Sequence, residues 1–285
     1  MASLTNLSFY QAQRSLASSQ SSLAQATQRL STGLRVNSAK DDSAGLAIAE
    51  RMNAQQRGMQ VAVRNANDGI SLAQTAEGAF VNAADALQRM RELAVQARNA
   101  TNSNSDKDAL DAEFGQLASE VQRIFTGTTF NGKTIVGAQA GAQVFQIGAG
   151  TAAADSISIT TTNMSTQTDI TKVAGTDLAG AGRSVIDNTS TATTLGTVID
   201  DIDKALDTVN AERATYGAIQ NRFDSVVKNL GTSIEQSTAA RSRIMDADFA
   251  TETANLAKYQ ILQQASASML AQSNQSSGLI LKLLA

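Results

Sequence analysis

The sequence predicts a mainly α fold, in which long antiparallel heptad helices form a coiled-coil bundle with a small β-hairpin region in the middle of the chain. Apolar residues recur at intervals of seven on both sides of that middle region. The 285 residues include no Pro, so nothing forces a break in a long helix. Two heptad helices that flank a β segment can bury their apolar stripes on each other, so we expect the chain to run out, turn and return with both termini at one end.

The heptad pattern defines five helical segments. The first places apolar residues seven apart and stops at Gly33, which suits the left-handed conformation of a helix C-terminus. A shorter helix in the first half has Ser105 or Asp106 as its expected cap. The four segments after the first are predicted at about residues 43–99, 105–127, 202–244 and 249–285.

The middle of the chain, at about residues 126–194, has a different composition, because Thr, Gly and Ala dominate and charges are few. Residues 130–133 (Phe-Asn-Gly-Lys) predict a tight turn, because Asn-Gly accepts the positive φ that a hairpin needs. We expect a flexible stretch over residues 161–190. Short strands are predicted at residues 134–136, 143–147 and 156–160.

Composition excludes several function classes. The chain has no His and no Cys, so disulfides, zinc sites with those ligands and His-dependent nucleophiles are excluded. A net charge of −3 indicates no nucleic-acid partner. The sequence has no run of 18 apolar residues, so we expect no membrane insertion. We therefore expect a protein that is not an enzyme and uses no cofactor or metal. The charged residues of the middle are interpreted as solvated loop residues: Asp155, Asp169, Lys172, Asp177, Arg183 and Asp187.

The two ends of the chain lack the mixed charges of ordinary solvent-facing helices. Residues 1–40 contain no acid, and residues 253–285 contain only Lys258 and Lys282 as charged residues. Both ends nevertheless have periodic apolar residues, so we expect them to pair and to be covered by other copies of the chain, and to be largely disordered before assembly. The predicted self-assembly residues are Phe9, Leu16, Leu23, Leu30, Phe249, Leu256, Leu262, Met269 and Leu270.

Two domains are expected from this contrast. An inner domain of terminal helices comprises residues 1–42 plus 246–285. A helical rod domain comprises residues 43–245 and contains the β region.

Six stretches of sequence resemble one family, and the likeness covers residues 1–135 and 195–285. The chain resembles bacterial flagellin, the filament subunit of the flagellum, in a short form without large outer domains. The matching stretches are residues 30–45 (LSTGLRVNSAKDDSAG), 64–71 (RNANDGIS), 91–96 (RELAVQ), 220–223 (QNRF), 240–244 (ARSRI) and 260–265 (QILQQA).

The resemblance implies a function and a set of partners. It implies self-assembly into an extracellular helical homopolymer for swimming motility, and export of the unfolded chain by the flagellar type III apparatus without a cleaved signal peptide. It also implies a secretion chaperone on the C-terminal segment between Leu256 and Leu284, contacts with hook-associated and cap proteins, and recognition by a vertebrate Toll-like receptor. The positions that match the receptor face are Gln88, Arg89, Leu93, Gln96, Glu113 and Arg222.

Three other functions remain open at this point. A flagellin-related hook–filament junction protein would bind the filament end without propagating. A cytoplasmic coiled-coil signalling rod would share the Ala-, Ser- and Gln-rich heptads, but it would need a helical hairpin tip and a membrane anchor. A secreted enzyme on a coiled-coil stalk would need its chemistry in the middle region, where the charged residues are isolated.

Overall fold

The computed structural model describes residues 7–284, with backbone alone for residues 8, 274 and 276–284. The first half of the chain forms three helices, α1 (Leu7–Thr32), α2 (Ser43–Ala97) and α3 (Asn104–Gly127). Helix α1 ends at Gly33, which adopts φ +72°, as the sequence predicted. The predicted cap of α3 was wrong, because Ser103 is the N-cap: its hydroxyl accepts the Asp106 N–H, and its own N–H donates to the Asp106 carboxylate in a capping box.

Two small hairpins follow α3. Strands β1 (Thr129–Phe130) and β2 (Lys133–Thr134) pair in antiparallel fashion across the Asn131-Gly132 turn. Both turn residues have positive φ, 49° and 77°, which confirms the predicted turn. Strands β3 (Ala142–Gln146) and β4 (Ser156–Thr160) pair in register from Ala142↔Thr160 to Gln146↔Ser156.

The prediction of a flexible stretch over residues 161–190 was wrong. A 3-10 turn (Met164–Thr166) leads into helix α4 (Thr168–Ala174), and both pack on α3. The sequence pattern missed this because the apolar residues are too widely spaced to form a periodic stripe. Each of these residues is nevertheless fully buried: Met164, Ile170, Val173, Ala174 and Ile186.

The link between α4 and the next helix is held to α3 by charged groups. The guanidinium of Arg183 binds the Asp111 carboxylate through both nitrogens, at 2.9 Å and 2.6 Å, and the same carboxylate accepts the Ile186 N–H at 2.9 Å. One turn earlier, the Asp108 carboxylate accepts two hydrogen bonds from Asn188. The interpretation of Arg183 as a solvated loop residue was therefore wrong.

Two long helices complete the chain, α5 (Ala192–Met245) and α6 (Phe249–Leu284). Helix α5 runs antiparallel to α2, because Arg91 binds Asp203 while Gln220 binds Glu77. The ring of Phe223 lies against Gly69, where an added Cβ would come within 2.7 Å of the ring. Gly69, which weakens the helix in isolation, is thus needed for close approach of α5.

One hydrophobic core joins α2, α3, α5 and the middle region. Its centre is a group of aromatic rings in which Phe80 lies 5.5 Å from Tyr216 and 6.0 Å from Phe125, centroid to centroid. The α2 residues at intervals of seven are fully buried in this core: Ala66, Ala73, Phe80, Leu87 and Ala94. The α5 residues Ile202, Val209, Tyr216 and Phe223 are buried in the same way. The mainly α fold with small hairpins is confirmed.

The chain separates into two compact units. One comprises residues 1–56 and 235–285, and the other comprises residues 57–234. The sequence predicts domain boundaries at residues 42/43 and 245/246, where the helical pattern is interrupted, and these stay a prediction. The boundaries of these compact units, at residues 56/57 and 234/235, lie within α2 and α5.

Candidate assembly surface

Helices α1 and α6 pack along each other within the first unit. They run in opposite directions, because Gly33 lies against Phe249 while Gln20 and Gln263 line one shared groove. The ends of the chain are thus brought together, as the sequence predicted.

The stripe of α1 that faces α6 is the predicted heptad series. Phe9, Leu16, Leu23 and Leu30 are all partly buried, and Ala26 between them is fully buried. The corresponding stripe of α6 repeats at intervals of three and four residues, and its partly or fully buried members are Glu252, Asn255, Leu256, Tyr259, Gln263, Ser266, Leu270 and Ser273.

The structure separates the predicted assembly residues into two groups. Six of them face the α1–α6 contact: Phe9, Leu16, Leu23, Leu30, Leu256 and Leu270. Leu262 and Met269 lie outside it, with exposed fractions of 41% and 66%, whereas Phe249, at 56% exposed, lies against Gly33 at the end of α1. The two stripes therefore serve different contacts, one within the chain and one on its exterior.

The exterior of α6 contains one large apolar residue that the sequence analysis did not single out. Ile261 is 66% exposed and lies one helical turn from Lys258. Its other neighbours at spacings of three and four are Ala257, Gln264 and Ala265. Leu262, the next residue along the helix, is also exposed, at 41%. We define the outer face of α6 as Ala254, Ala257, Lys258, Ile261, Ala265 and Met269.

A short clip joins the ends of α1 and α5. The Arg35 N–H donates to the Met245 carbonyl at 2.6 Å, and the Ala247 N–H donates to the Gly33 carbonyl at 2.9 Å. The Arg35 guanidinium adds a hydrogen bond to the Ile244 carbonyl at 2.7 Å. Val36, Ala49 and Met245 form a small buried hydrophobic cluster next to these hydrogen bonds. This clip sets where α6 begins relative to the end of α1.

Acidic caps support the first unit at two turns. The Asp248 carboxylate accepts the Ala250 N–H at 2.9 Å and the Thr251 hydroxyl at 2.8 Å at the start of α6. Asp41 accepts the Asn37 and Ser38 N–H groups at 3.2 Å and 2.9 Å. These donors favour the charged form, so the pKa of each carboxyl lies below its ordinary value.

The second set of predicted residues lies in the other unit. Gln88, Arg89 and Gln96 are exposed along α2, and the Arg89 guanidinium binds Glu113 of α3 at 2.9 Å and Glu92 at 3.0 Å. Leu93, however, is only 1% exposed and belongs to the core, although it follows Arg89 by four residues. Of the six positions that match the receptor face, Leu93 is thus enclosed in the core. Arg89 reaches solvent because its side chain is long and extends past the buried stripe.

The described residues include no group of three or more His, Cys, Asp or Glu side chains placed to hold a metal ion. Within the same part of the chain, no helix is both long and apolar enough to cross a membrane.

Comparisons with known proteins match both halves of the chain. Family models for the N-terminal and C-terminal helical regions of bacterial flagellin match residues 4–140 and 199–284. A flagellin from Halalkalibacterium halodurans is 42% identical, covering 91% of this chain and 90% of its own. Flagellin B of Vibrio cholerae is 34% identical over 98% of both chains. A crystal structure of Bacillus cereus flagellin, at 30% identity, covers 59% of this chain and 88% of its own with a TM-score of 0.47.

The fold and these matches define a structural protein made of long paired helices. The chain belongs to the bacterial flagellins. It is a structural subunit of the flagellar filament, an extracellular homopolymer that serves motility. The junction-protein and signalling-rod alternatives are not favoured by these relatives.

Proposed function

We propose that the α1–α6 pair is the element through which copies of this chain assemble into the filament, and that the outer face of α6 is its principal contact. The single observation behind the proposal is that the described side chains of α6 include one charge on each side, Glu252 towards α1 and Lys258 on the outer face. One side is taken by α1, while the other exposes Ile261, Leu262 and Met269. An ordinary surface helix carries charged residues on the face opposite its core, so an exterior with a single charge and three exposed apolar side chains favours a face that other copies cover.

The charges of the pair agree with this proposal. Arg29 and Glu252 lie 3.9 Å apart at the α1–α6 contact, with the Glu252 side chain 10% exposed. Along the described exterior of α6, Lys258 is the only charged residue, and α1 adds Arg14. Small and amide side chains elsewhere permit close approach of neighbouring copies without the burial of many charges.

The outer face is tested by Ile261→Asp. Its side chain lies away from α1, so the monomer should keep its helicity, while elongation from filament seeds should be lost because an unpaired carboxylate would be buried between copies. Leu178→Asp is the matched control, because Leu178 is 57% exposed in the other unit. Elongation of Ile261→Asp at the rate of the control would contradict the proposal.

The inner stripe is tested separately by Leu23→Asp and Leu256→Asp. Both side chains face the α1–α6 contact, so these variants should separate the two helices and abolish filaments while α2, α3 and α5 stay folded. Circular dichroism would show whether α2, α3 and α5 stay folded, and electron microscopy would detect filaments. Normal filaments from either variant would mean that the pair is dispensable.

The same exposed surface supports a role for a secretion chaperone before export. An apolar helix face that awaits other copies would promote premature polymerisation in the cytoplasm, so a chaperone that covers α6 would prevent it. The apolar residues 279–281, 283 and 284, which belong to the predicted chaperone segment, have side chains outside the described residues. Ile261→Asp should weaken binding of a purified flagellar secretion chaperone to the full chain, measured by calorimetry, and unchanged affinity would place the chaperone elsewhere. Type III export and contacts with hook-associated and cap proteins belong to the same proposal.

For recognition by a Toll-like receptor, we propose an exposed surface without Leu93. It comprises Gln88, Arg89, Gln96, Glu113 and Arg222, all of which are exposed. Arg89 is the expected centre, because Glu92 and Glu113 fix its guanidinium. Arg89→Ala should reduce receptor-reporter activation by the monomer, with Arg98→Ala as the control of equal charge. Equal activation by both variants would contradict this assignment.

A further inference from the structure

The outermost line of residues on α2 and α5 can be defined from the buried heptads. In a heptad, position f lies farthest from the partner helix when a and d form the core. The buried series that begins at Met59 on α2 and at Ile202 on α5 supplies the a positions. The f positions are then residues 57, 64, 71, 78, 85 and 92 on α2, and residues 200, 207, 214, 221 and 228 on α5. Every one of them is exposed.

Charge is sorted by sign along this outer line. On α2 it begins with the cations Arg57 and Arg64, passes through uncharged residues and ends with the acids Asp85 and Glu92. On α5 the order is reversed, from Asp200, Asp207, Ala214 and Asn221 to Lys228.

Because the two helices are antiparallel, the two gradients point the same way. Gly69 lies against Phe223, so Arg64 is level with Lys228. The unit formed by residues 57–234 therefore has cations at one end of its outer lines and acids at the other end. Opposite charges at the two ends are complementary between successive copies rather than within one copy.

The structure leaves most of these charges without an intramolecular ion pair. In the described part of the chain, Glu92 alone of the f-position charges is paired, with Arg89. The other cations on α2 and α5 near the acidic end are engaged, Arg91 with Asp203 at 2.6 Å and Lys204 with Asp201 at 3.3 Å. Exposed acids at the cationic end, Asp68 and Asp224, lie at flanking heptad positions off the outer line.

We propose that Arg57 and Arg64 on the α2 side of one copy bind Asp200 and Asp207 on the α5 side of a neighbouring copy. This contact rests on the proposed function as a filament subunit, and it identifies a second interface away from the terminal helices. The f positions of paired helices face opposite sides, so the contact joins two different surfaces. A contact between two different surfaces does not close on itself and extends a polymer.

The spacing of the charges fixes the offset between the copies. Each pair is separated by seven residues, so one axial shift brings Arg64 to Asp200 and Arg57 to Asp207. Because Arg64 is level with Lys228, the shift corresponds to about 28 residues, or roughly 42 Å at about 1.5 Å per residue. The neighbouring copies are thus staggered lengthwise and keep the same orientation.

The contact is tested by charge reversal in seeded elongation at low salt. The double variants Arg57→Glu/Arg64→Glu and Asp200→Lys/Asp207→Lys should each elongate about tenfold more slowly or worse than wild type, because like charges then meet. An equimolar mixture of the two double variants should elongate again, because the acidic residues of one variant then meet the basic residues of the other. The quadruple variant with all four reversals should recover by itself.

Control variants separate this contact from net charge. Lys133→Glu/Lys172→Glu and Asp68→Lys/Asp224→Lys make the same charge changes at exposed positions off the outer line, and they should elongate within about twofold of wild type. The defects of the first two variants should shrink at high salt, because screening acts within about 3 Å at 1 M.

The outcomes distinguish this contact from the terminal-helix proposal. Charge variants that elongate like wild type, in an assay where Ile261→Asp does not elongate, would overturn the contact and keep the proposed function. Slow double variants with no recovery in the mixture or the quadruple variant would also overturn it. Failure of the wild-type chain itself to elongate seeds would overturn both.

Discussion

The central unit (residues 57–234) and the α1–α6 pair both have apolar residues at intervals of seven. Those residues are buried more completely in the central unit than in the pair. In the central unit, Phe80, Phe125 and Tyr216 are fully enclosed by three helices. Among the described side chains of α1 and α6, only Ala26 and Glu252 reach full burial. Two helices cover one side of each other, whereas a third helix is needed to enclose a large side chain.

The difference teaches that a heptad stripe predicts which face is apolar and not what covers it. The apolar residues of the central unit are buried by other residues of the same chain, so the stability of this unit is expected to be a property of the single chain. The terminal pair leaves Ile261 and Met269 exposed, so its stability is expected to depend on neighbouring copies.

The largest expected effect breaks the central core. Phe80→Ala should lower the free energy of unfolding by about 3–5 kcal/mol, because it removes a ring that packs between two others. Phe249→Ala, at a 56% exposed position of α6, should change the monomer by less than about 0.5 kcal/mol. Urea unfolding followed by circular dichroism measures both, and equal destabilisation would remove the distinction between the two regions.

The next effect concerns the segment that was expected to be flexible. Arg183→Ala should cost about 2 kcal/mol, because it leaves Asp111 without its two-nitrogen partner at a site where both side chains are less than one-fifth exposed. Lys204→Ala removes an exposed ion pair and should cost less than about 0.5 kcal/mol. Removal of residues 161–190 should unfold the central unit. A stable deletion variant in thermal unfolding would show that this segment is dispensable after all.

A smaller effect of opposite sign is expected at Tyr216. Its hydroxyl is buried without a hydrogen-bond partner in the described structure, and burial, with a contribution from Glu212, raises the pKa of the phenol. Tyr216→Phe keeps the ring and removes the unsatisfied group, so it should raise the free energy of unfolding by about 1 kcal/mol. Tyr10→Phe, at an exposed position of α1, serves as the control. A destabilised Tyr216→Phe would indicate a partner for the hydroxyl.

The smallest effect is a dependence on acid at the start of α6. The pKa of Asp248 is lowered in the folded chain, so its contribution to stability is present above the ordinary pKa of about 3.9 and is lost as pH falls through the lowered value. We expect the Ala250 amide to lose protection from hydrogen exchange below about pH 4. Asp248→Asn should remove this pH dependence. Persistence of the dependence in that variant would assign it to another carboxyl.

Much of the fold could be predicted because its signals are local. The absence of Pro, the seven-residue period and the Asn-Gly turn each act within a few residues, and the structure has α2, α5 and the β1–β2 hairpin where these signals placed them. Helix α4 and its link to α3 were missed, because the Arg183–Asp111 pair joins residues 72 positions apart. No local pattern marks such a pair.

The candidate assembly surface was predicted in composition but not in orientation. The uncharged ends identified α1 and α6, whereas the assignment of Leu256 to the inner stripe and Met269 to the outer face required the packed pair. Leu93 shows the same limit on α2, because four-residue spacing from an exposed Arg89 did not make it exposed.

The sequence by itself determined that this chain forms long heptad helices with a β interruption and uncharged ends, because backbone preference and apolar period depend on nearest neighbours along the chain. Only the tertiary structure decided which apolar side chains are enclosed and which remain on the outside. Burial depends on what surrounds a side chain in space, and those surroundings come from residues far away in the sequence.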